Sequence, residues 1–284
     1  MLSNQRNNVV IVMGIYITSF TILCCQEENS VKSVLRNAQV GFTSSAAGML
    51  VYTPFHYFQN RIIQNLPIIW NNPTYWFRGA PSLILGKGPT MAVELASYQL
   101  IAKVLQQQGA TSSSVHNTIA ATLAGAAGGV VNNLTHLIAL HQENKGCSFA
   151  QTIREFPNKR VWMRGLGTTI TREMIFSNIF FVTLKKLRAI ISAHTESPRV
   201  AQVTSGLIAG ALVAGVTQPF MVVTAHLYAD VEKKQYTNGL DAVRKIFRAH
   251  GLRHFYKGSA YRSVGIMLAL PVFDAVRSYY TAKK

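Results

Sequence analysis

The stretch Phe255-Tyr256-Lys257-Gly258 occurs in related form twice earlier in the chain, as Trp162-Met163-Arg164-Gly165 and as Trp76-Phe77-Arg78-Gly79. The three copies share an aromatic residue, a basic residue two positions later and a glycine, and they lie 86 and 93 residues apart. A recurring spacing of this kind is typical of a protein built from repeated units. The 284-residue chain is therefore predicted to contain three copies of one structural unit.

A pair of small residues, four positions apart, precedes each copy of this motif. The pairs are Gly41 and Ser45, Ala121 and Gly125, and Gly206 and Gly210. Small residues on one helix face allow close packing of helices in a membrane. Between the pair and the motif a short amphipathic helix is predicted, most clearly over 239–251, where Leu240, Val243, Ile246 and Phe247 form one stripe. Each unit is thus interpreted as a long helix, a short surface helix and a second long helix.

Composition indicates a membrane protein that meets anions. Apolar residues make up 49% of the chain and charged residues 14%, against roughly 25% charged residues in soluble domains. The 28 basic and 11 acidic residues give a net charge of +17. A soluble protein this basic would suggest nucleic acid, but the polar surface that such a protein needs is missing, so no nucleic-acid partner is expected. Six apolar stretches approach the length that crosses a bilayer: 38–63, 82–105, 118–140, 167–191, 203–228 and 261–280.

We therefore predict an all-α membrane protein with six transmembrane helices in three pseudo-symmetric repeats. The predicted units are residues 32–112, 113–197 and 198–284. An additional apolar segment within residues 1–31 precedes them, and it is interpreted as a leader or an anchor. An uncleaved anchor, a signal-type segment and a seventh span all remain open for this part of the chain.

These triplicated signals resemble the mitochondrial carrier family over about residues 32–284. The resemblance implies six helices around a central cavity, alternating access, a multi-pass position in the mitochondrial inner membrane, and a monomer without a cofactor. In that family the odd-numbered helices carry P-x-[DE]-x-x-[KR]-x-[KR]. The acid and the first base of this motif form ion pairs between repeats and close one end of the cavity.

This gate motif is largely lost here. The acidic and first basic positions hold no charged pair: His56 and Gln59, His136 and Ala139, and Met221 and Thr224. The second repeat is aligned from Leu134, with Ile138 as a rival start, because it lacks the proline. No ion pair between repeats is therefore expected at this end, which predicts loosely coupled or one-way transport. The last basic position keeps a basic or titratable group in every repeat: Arg61, His141 and His226.

The histidines of this motif have a simpler interpretation, in which they hydrogen-bond to neighbouring helices. No metal site is expected, because nothing in the sequence brings cysteine or carboxylate partners to them. The even-numbered helices carry a second gate motif, [FY]-[DE]-x-x-[RK]. Asp274 and Arg277 complete it in the third repeat, Lys185 is the base kept in the second, and the first has the neutral Gln99. The second gate is therefore predicted to be partial.

The resemblance places substrate contacts on the even helices, seven or eight positions after the basic residue and glycine of each motif. These positions lead to Lys87, to Arg172 with Glu173, and to Gly265, with Arg262 nearby. Three cations from three repeats can converge on one cavity and attract a phosphate or carboxylate group. The alternative is that some of them extend toward lipid headgroups. Glu173 favours a carrier of amino acids or related zwitterions, because it can meet an amino group.

The substrate remains open between two classes. The residues alone leave nucleotides and amino acids nearly even, but the divergence, the N-terminal apolar segment and the Asn/Gln-rich character resemble nucleotide carriers that intracellular bacterial pathogens deliver to host mitochondria. We therefore expect a small anion, with ATP or ADP as the first substrate. A membrane interaction protein that kept the carrier fold without transport is a further alternative. An enzyme is not expected, because Lys87 lacks the spacing of a phosphate-binding loop and no catalytic triad or carboxylate pair stands out.

The repeated motifs also resemble the cardiolipin sites of the family, where helix N-termini hold lipid phosphates. The candidates for lipid binding are Arg78 with Gly79, Arg164 with Gly165, and Lys257 with Gly258. The alternative is ordinary positive charge beside a membrane helix.

Overall fold

The computed structural model describes residues 28–107, 114–156 and 159–282, and within these ranges it contains helices, turns and no strand. The all-α fold class predicted from the sequence is confirmed for this part of the chain. The apolar segment at 9–25 lies outside the described residues.

Ten α-helices make up the described ranges. In chain order they are α1 (Glu28–Ile63), α2 (Ala80–Gln107), α3 (Ser114–Lys145), α4 (Phe149–Glu155), α5 (Lys159–Trp162), α6 (Leu166–Asn178), α7 (Leu184–Ser192), α8 (Pro198–Ala229), α9 (Gly239–His250) and α10 (Ser259–Ala282). A π-helical turn, Ile179–Thr183, joins α6 to α7 into one rod, and 3₁₀ turns lie at Pro73–Phe77 and Leu252–Tyr256.

Six long rods form a closed ring, and in chain order they are α1, α2, α3, α6 joined to α7, α8 and α10. Each rod packs against the next along the chain, and α10 packs back against α1. The predicted small residues lie where these rods meet: a Cβ on Gly125 would be 2.5 Å from the backbone oxygen of Glu173, and one on Gly210 would be 2.9 Å from the Cα of Met267. Only glycine allows the backbones to approach this closely.

Three helical segments among the described residues are long and apolar enough to cross a membrane, judged by length and composition alone. They are Ser114–Lys145, Pro198–Ala229 and Leu252–Tyr280. The rods formed by α2 and by α6 with α7 carry charged side chains toward the interior of the ring, among them Lys87 and Arg172, and such residues lower the hydropathy of a span.

The short helices α4 and α9 lie at one end of the ring, which we call the loop end. The Asn238 side chain caps α9 by accepting a hydrogen bond from the Asp241 backbone at 2.9 Å. Ile246 packs into the protein, whereas Leu240 and Phe247 are 73% and 53% exposed. The amphipathic helix predicted over 239–251 is thus confirmed, with an apolar face left for a membrane surface.

Candidate functional site

The six rods surround a central cavity of about 90 Å³. The three cations predicted from different repeats all line it: Lys87 on α2, Arg172 on α6 and Arg262 on α10. Each of these side chains belongs to a residue that is at least nine-tenths buried. A buried cation requires polar partners or a ligand, because its removal from water is costly.

Glu173 on α6 is the counter-charge of two of these cations. Its Oε1 accepts hydrogen bonds from Arg172 Nη2 at 2.7 Å and from Asn132 Nδ2 at 2.6 Å, and its Oε2 lies 3.2 Å from Lys87 Nζ. A second carboxylate, Glu94, is buried on α2 but does not line the cavity. Three cations and one carboxylate give the cavity lining a net charge of +2.

Arg262 faces the cavity with neutral partners. Its guanidinium donates to Thr217 Oγ1 at 2.5 Å, to Gln218 Oε1 at 3.1 Å and to the carbonyl oxygen of Ala214 at 3.4 Å. Within the described residues no carboxylate lies within ion-pair distance of it. Its charge is therefore available to an anion in the cavity.

Gly265, predicted as a substrate contact, does not line this cavity. It faces α1, where an added Cβ would lie 2.6 Å from the Cβ of Phe55 and 3.0 Å from the ring of Tyr52. The glycine permits close packing of α10 on α1. Its assignment is therefore corrected, because a count along the chain does not establish which face of a helix meets the cavity.

At the loop end, Glu143 on α3 joins the first repeat to the second. His56 Nδ1 lies 2.8 Å from Glu143 Oε1, Asn60 donates to the other carboxylate oxygen, and Arg61 Nη2 donates to the Glu143 backbone oxygen at 3.2 Å. The prediction of no ion pair concerned the motif positions alone and did not include Glu143, an acid through which the first and second repeats do meet. The motif missed Glu143 because this residue lies two positions beyond the last motif residue, His141, among the polar residues that end α3.

The other predicted gate residues of the odd helices lie in three places: at the cavity, in the packing between helices, and at the loop end. His136 and Met221 line the cavity, and the His136 ring lies edge-on to His56 with centroids 5.3 Å apart. Gln59 is fully buried between α1 and α8, where its Nε2 donates to the Gln218 side chain at 3.4 Å.

His141 and His226 lie at the loop end instead. His141 Nε2 is 2.7 Å from Glu155 Oε2, and His226 Nε2 is 3.0 Å from His254 Nε2. Both histidines thus hydrogen-bond to neighbouring segments.

At the opposite end of the ring, Asp274 on α10 forms an ion pair with Arg188 on α7. The predicted bases Lys185 and Arg277 lie over aromatic rings, 5.5 and 5.9 Å from the ring centres. Arg188 was missed because it lies one turn beyond the motif position in the second repeat. This end is therefore joined by a base that the sequence motif does not include.

Arg164 donates five hydrogen bonds across to the third repeat. One goes to the carboxylate of Asp230 at 3.0 Å, and four go to the backbone oxygens of Leu227, Asp230, Tyr236 and Thr237 at 2.6 to 3.1 Å. The residue is only 4% exposed. Burial lowers the pKa of its guanidinium and Asp230 opposes that shift, so the cation is retained. The prediction that its side chain binds lipid is wrong, because protein acceptors occupy it.

The equivalent bases of the other repeats also reach the next repeat at the loop end. Lys257 Nζ donates to the side chain of Asn65, just beyond α1. Arg78 lies against the turn after α3, where a Cβ on Gly146 would be 2.2 Å from its Nη1. We call Arg78, Arg164 and Lys257 the repeat clamps.

The glycines that follow the clamps have backbone or packing requirements of their own. Gly165 and Gly258 have φ angles of +72° and +76°, in the left-handed region that favours glycine. A Cβ on Gly79 would lie 2.7 Å from a carboxylate oxygen of Glu143. These glycines are therefore explained without a lipid.

A groove of about 1030 Å³ opens between the second and third repeats. It is lined by the first residues of two helices, Gly165 and Leu166 at α6 and Gly239 at α9, and by the exposed apolar side chains of Leu240 and Phe247. Helix N-termini bind phosphate groups, and an apolar wall suits acyl chains. The groove thus combines two helix N-termini with an apolar wall.

Comparison with known proteins adds the family context. A family model described as "Mitochondrial carrier protein" matches residues 195–284. Mitoferrin-1 of Homo sapiens is 23% identical over 226 residues, which are 72% of this chain and 66% of that protein. Mitochondrial glycine transporter A of Danio rerio is 33% identical over 104 residues, 35% of either chain. A mitochondrial adenyl nucleotide antiporter of Mus musculus is 27% identical over 158 residues, 52% of this chain and 33% of that protein. The chain thus spans between about one third and two thirds of the length of these relatives.

Proposed function

The chain is a divergent member of the mitochondrial carrier family, and we propose that it is an alternating-access transporter of a small anionic metabolite, with adenine nucleotides as the first substrate. The family consists of multi-pass transporters of the mitochondrial inner membrane rather than enzymes. The observation that carries the proposal is the convergence of Lys87, Arg172 and Arg262 on one central cavity.

The cavity favours an anion. Its lining carries a net charge of +2 inside a ring of apolar helices, where charge interactions are stronger than in water. Arg262 offers a guanidinium with neutral partners, which suits bidentate contact with phosphate. The adenyl nucleotide antiporter among the relatives supports a nucleotide, by its name.

The ring must open for such a substrate. A volume of about 90 Å³ is well below the roughly 300 Å³ at which small-molecule sites begin. We propose that the contacts of Glu143 at the loop end and of Asp274 at the opposite end separate in turn, as alternating access requires. A substrate that binds the cationic cavity would offset the loss of either contact.

We propose that transport is loosely coupled. At the loop end a histidine and an asparagine hold the Glu143 carboxylate, and the permanent base Arg61 reaches only the Glu143 backbone oxygen. A weaker closed gate lets the empty carrier change state more often, so that one-way movement competes with exchange.

An amino acid or related zwitterion is the second candidate. Glu173 favours it, because its carboxylate lies in the cavity between two cations and could meet an ammonium group. The glycine transporter among the relatives agrees with this candidate by its name. A carrier fold without transport is the third alternative.

We propose cardiolipin as the lipid partner, held in the groove between α6 and α9 by helix N-termini rather than by the Arg164 side chain. A monomeric state and delivery to the mitochondria of a host cell remain predictions. Detergent-corrected mass measurement would test the first, and cofractionation of a tagged chain with host mitochondria would test the second.

The deciding experiment is uptake into liposomes that contain cardiolipin. Labelled ATP, glycine and a basic amino acid are offered to the reconstituted chain, with and without ATP inside the vesicles. The proposal expects ATP uptake that persists without internal ATP and falls in Lys87→Ala, Arg172→Ala and Arg262→Ala. The control is Arg253→Ala, which removes an exposed arginine outside the cavity.

Each outcome separates one alternative. Uptake of an amino acid but not of ATP would favour the zwitterion, and uptake that requires internal substrate would overturn loose coupling. Absence of flux, together with no thermal stabilisation by any compound of the panel, would favour a protein that does not transport, since a ligand of the folded state raises its apparent stability.

A further inference from the structure

Three side chains able to ligate a metal ion meet at the loop end, outside the central cavity. They are His141 on α3, Cys147 in the turn that follows, and Glu155 at the end of α4, and their ligand atoms all lie within 4.8 Å of one another. The sequence predicts no cysteine or carboxylate partner for the histidines, but His141 has both in the folded chain. The sequence hides this cluster because the three residues are separated by five and seven others.

The turn that carries Cys147 is held by its own contacts. Gly146 has a φ angle of +71°, which lets the chain reverse after α3. Ser148 then caps α4 in a reciprocal capping box with Gln151, with hydrogen bonds of 2.7 and 3.3 Å. These contacts of the turn place the Cys147 sulfur beside α3.

Present contacts do not block the site. His141 Nε2 and Lys145 Nζ lie 2.7 and 3.1 Å from the same Glu155 oxygen, and the Cys147 sulfur lies 3.2 Å from the Thr152 hydroxyl. The Lys145 and Glu155 side chains are 60% and 43% exposed, so both can rotate at little cost. A cation would replace Lys145 as the positive partner of the carboxylate.

The donor set selects the class of metal. One imidazole nitrogen, one thiolate and one carboxylate oxygen match the ligands of Zn²⁺, whereas Ca²⁺ and Mg²⁺ prefer oxygen alone. Tetrahedral bonds of ~2.0–2.3 Å place ligand atoms about 3.3–3.8 Å apart. The present ligand atoms lie within 4.8 Å of one another, and the half-exposed Glu155 side chain is free to adjust toward that spacing. Three protein ligands leave the fourth position to water.

We propose that His141, Cys147 and Glu155 form a binding site for Zn²⁺ or a similar borderline divalent cation. The ion would tie α4 to the last turns of α3, the same turns that carry the Glu143 contact with the first repeat. The site does not depend on the substrate proposed above, so either proposal can fail alone.

Cobalt substitution tests the site. The purified full chain in detergent is stripped of metal, titrated with Co²⁺ and then back-titrated with Zn²⁺. We expect a thiolate-to-cobalt charge-transfer band that saturates at one ion per chain and disappears on Zn²⁺ addition. The band should be absent in Cys147→Ser, and the Kd should rise about tenfold or more in His141→Ala and in Glu155→Gln.

Matched controls exclude other ligands. Cys24→Ser with Cys25→Ser removes the other two cysteines of the chain, while His194→Ala and Glu196→Gln remove an exposed histidine and acid elsewhere; all should bind cobalt as the wild type does. A band that persists in Cys147→Ser, or equal weakening in the controls, would overturn the site.

Alkylation of the wild-type chain gives a test that needs no variant. Zn²⁺ should slow the modification of Cys147 about tenfold or more, read by mass spectrometry of the peptide. An unchanged modification rate at saturating Zn²⁺ would contradict the proposal even if the Cys147→Ser variant failed to fold.

Discussion

Two sets of three basic residues, each with one member per repeat, lie in different parts of the ring, and Arg164 and Arg262 show the contrast between the sets most clearly, because Lys87 and Arg172 are paired with Glu173. The repeat clamps Arg78, Arg164 and Lys257 reach protein partners at the loop end, whereas Lys87, Arg172 and Arg262 line the central cavity. Arg164 gives its guanidinium to one carboxylate and four backbone oxygens. Arg262 is equally buried, and its hydrogen-bond acceptors among the described residues are neutral.

In a protein of repeated units, the partners of a buried cation distinguish a structural role from a functional one. A cation whose donors are all used by the protein stabilises the fold, and its loss leaves buried acceptors unpaired. A cation with neutral partners at a cavity keeps its charge available to a ligand. Substitutions of the clamps should therefore change stability, and substitutions of the cavity cations should change transport.

The largest effect is expected for Arg164→Ala. The change removes five hydrogen bonds and leaves the Asp230 carboxylate without its base, which should cost about 3 kcal/mol of unfolding free energy. Denaturant unfolding in detergent measures it, and Arg253→Ala serves as the exposed control. A loss below about 1 kcal/mol would show that this clamp does not hold the second and third repeats together.

Arg262→Ala should come next and act on transport instead. The loss of this charge should weaken substrate binding about tenfold, equal to about 1.4 kcal/mol, while the melting temperature stays close to that of the wild type because Thr217 and Gln218 can bind water in the cavity. Concentration-dependent uptake into liposomes gives the apparent affinity. A large fall in melting temperature together with the fall in uptake would mean that Arg262, like the clamps, acts on stability.

Glu173→Gln tests whether the cavity holds an anion or a zwitterion. The lining would change from +2 to +3, so an anion should be retained while a zwitterion loses the partner of its ammonium group. We expect the preference for ATP over an amino acid to rise about fivefold, close to 1 kcal/mol. Competition uptake with both labelled compounds measures it, and a shift in the opposite direction would place the amino group of the substrate elsewhere.

The smallest effect is expected for Lys257→Ala. This clamp makes a single side-chain contact, with Asn65, and it lies in an exposed region, so its loss should cost less than about 1 kcal/mol. Thermal unfolding in detergent checks it. A cost as large as that of Arg164→Ala would mean that all three clamps act alike.

Much of the fold was predictable from periodic features. The repeated motif, the small pairs such as Gly206 with Gly210, and the stripe of α9 each depend on residues close in sequence, whose geometry follows from the helix period. The place of Lys87 and Arg172 in the cavity lining was predictable from the repeats, because both lie seven or eight residues after a motif glycine. Arg262 lies only four residues after Gly258, so its place in the lining did not follow from that count.

The partners of individual side chains were not predictable. Glu143 beside His56, Arg188 beside Asp274 and Asp230 beside Arg164 are pairs between repeats, and each involves a residue one turn or more away from a motif position. Which side chains meet there depends on how the helices are rotated about their axes, and that rotation is set by the packing of the whole ring.

Local period and composition were enough to predict a basic, helical protein of three repeats whose cations meet at its centre. The tertiary structure was needed to see that the Arg164 cation joins two repeats whereas the Arg262 cation lines the cavity. It was also needed to see that His141 lies beside Cys147 and Glu155. The physical reason is that the role of a charge depends on the partners that surround it, and long-range packing brings those partners together.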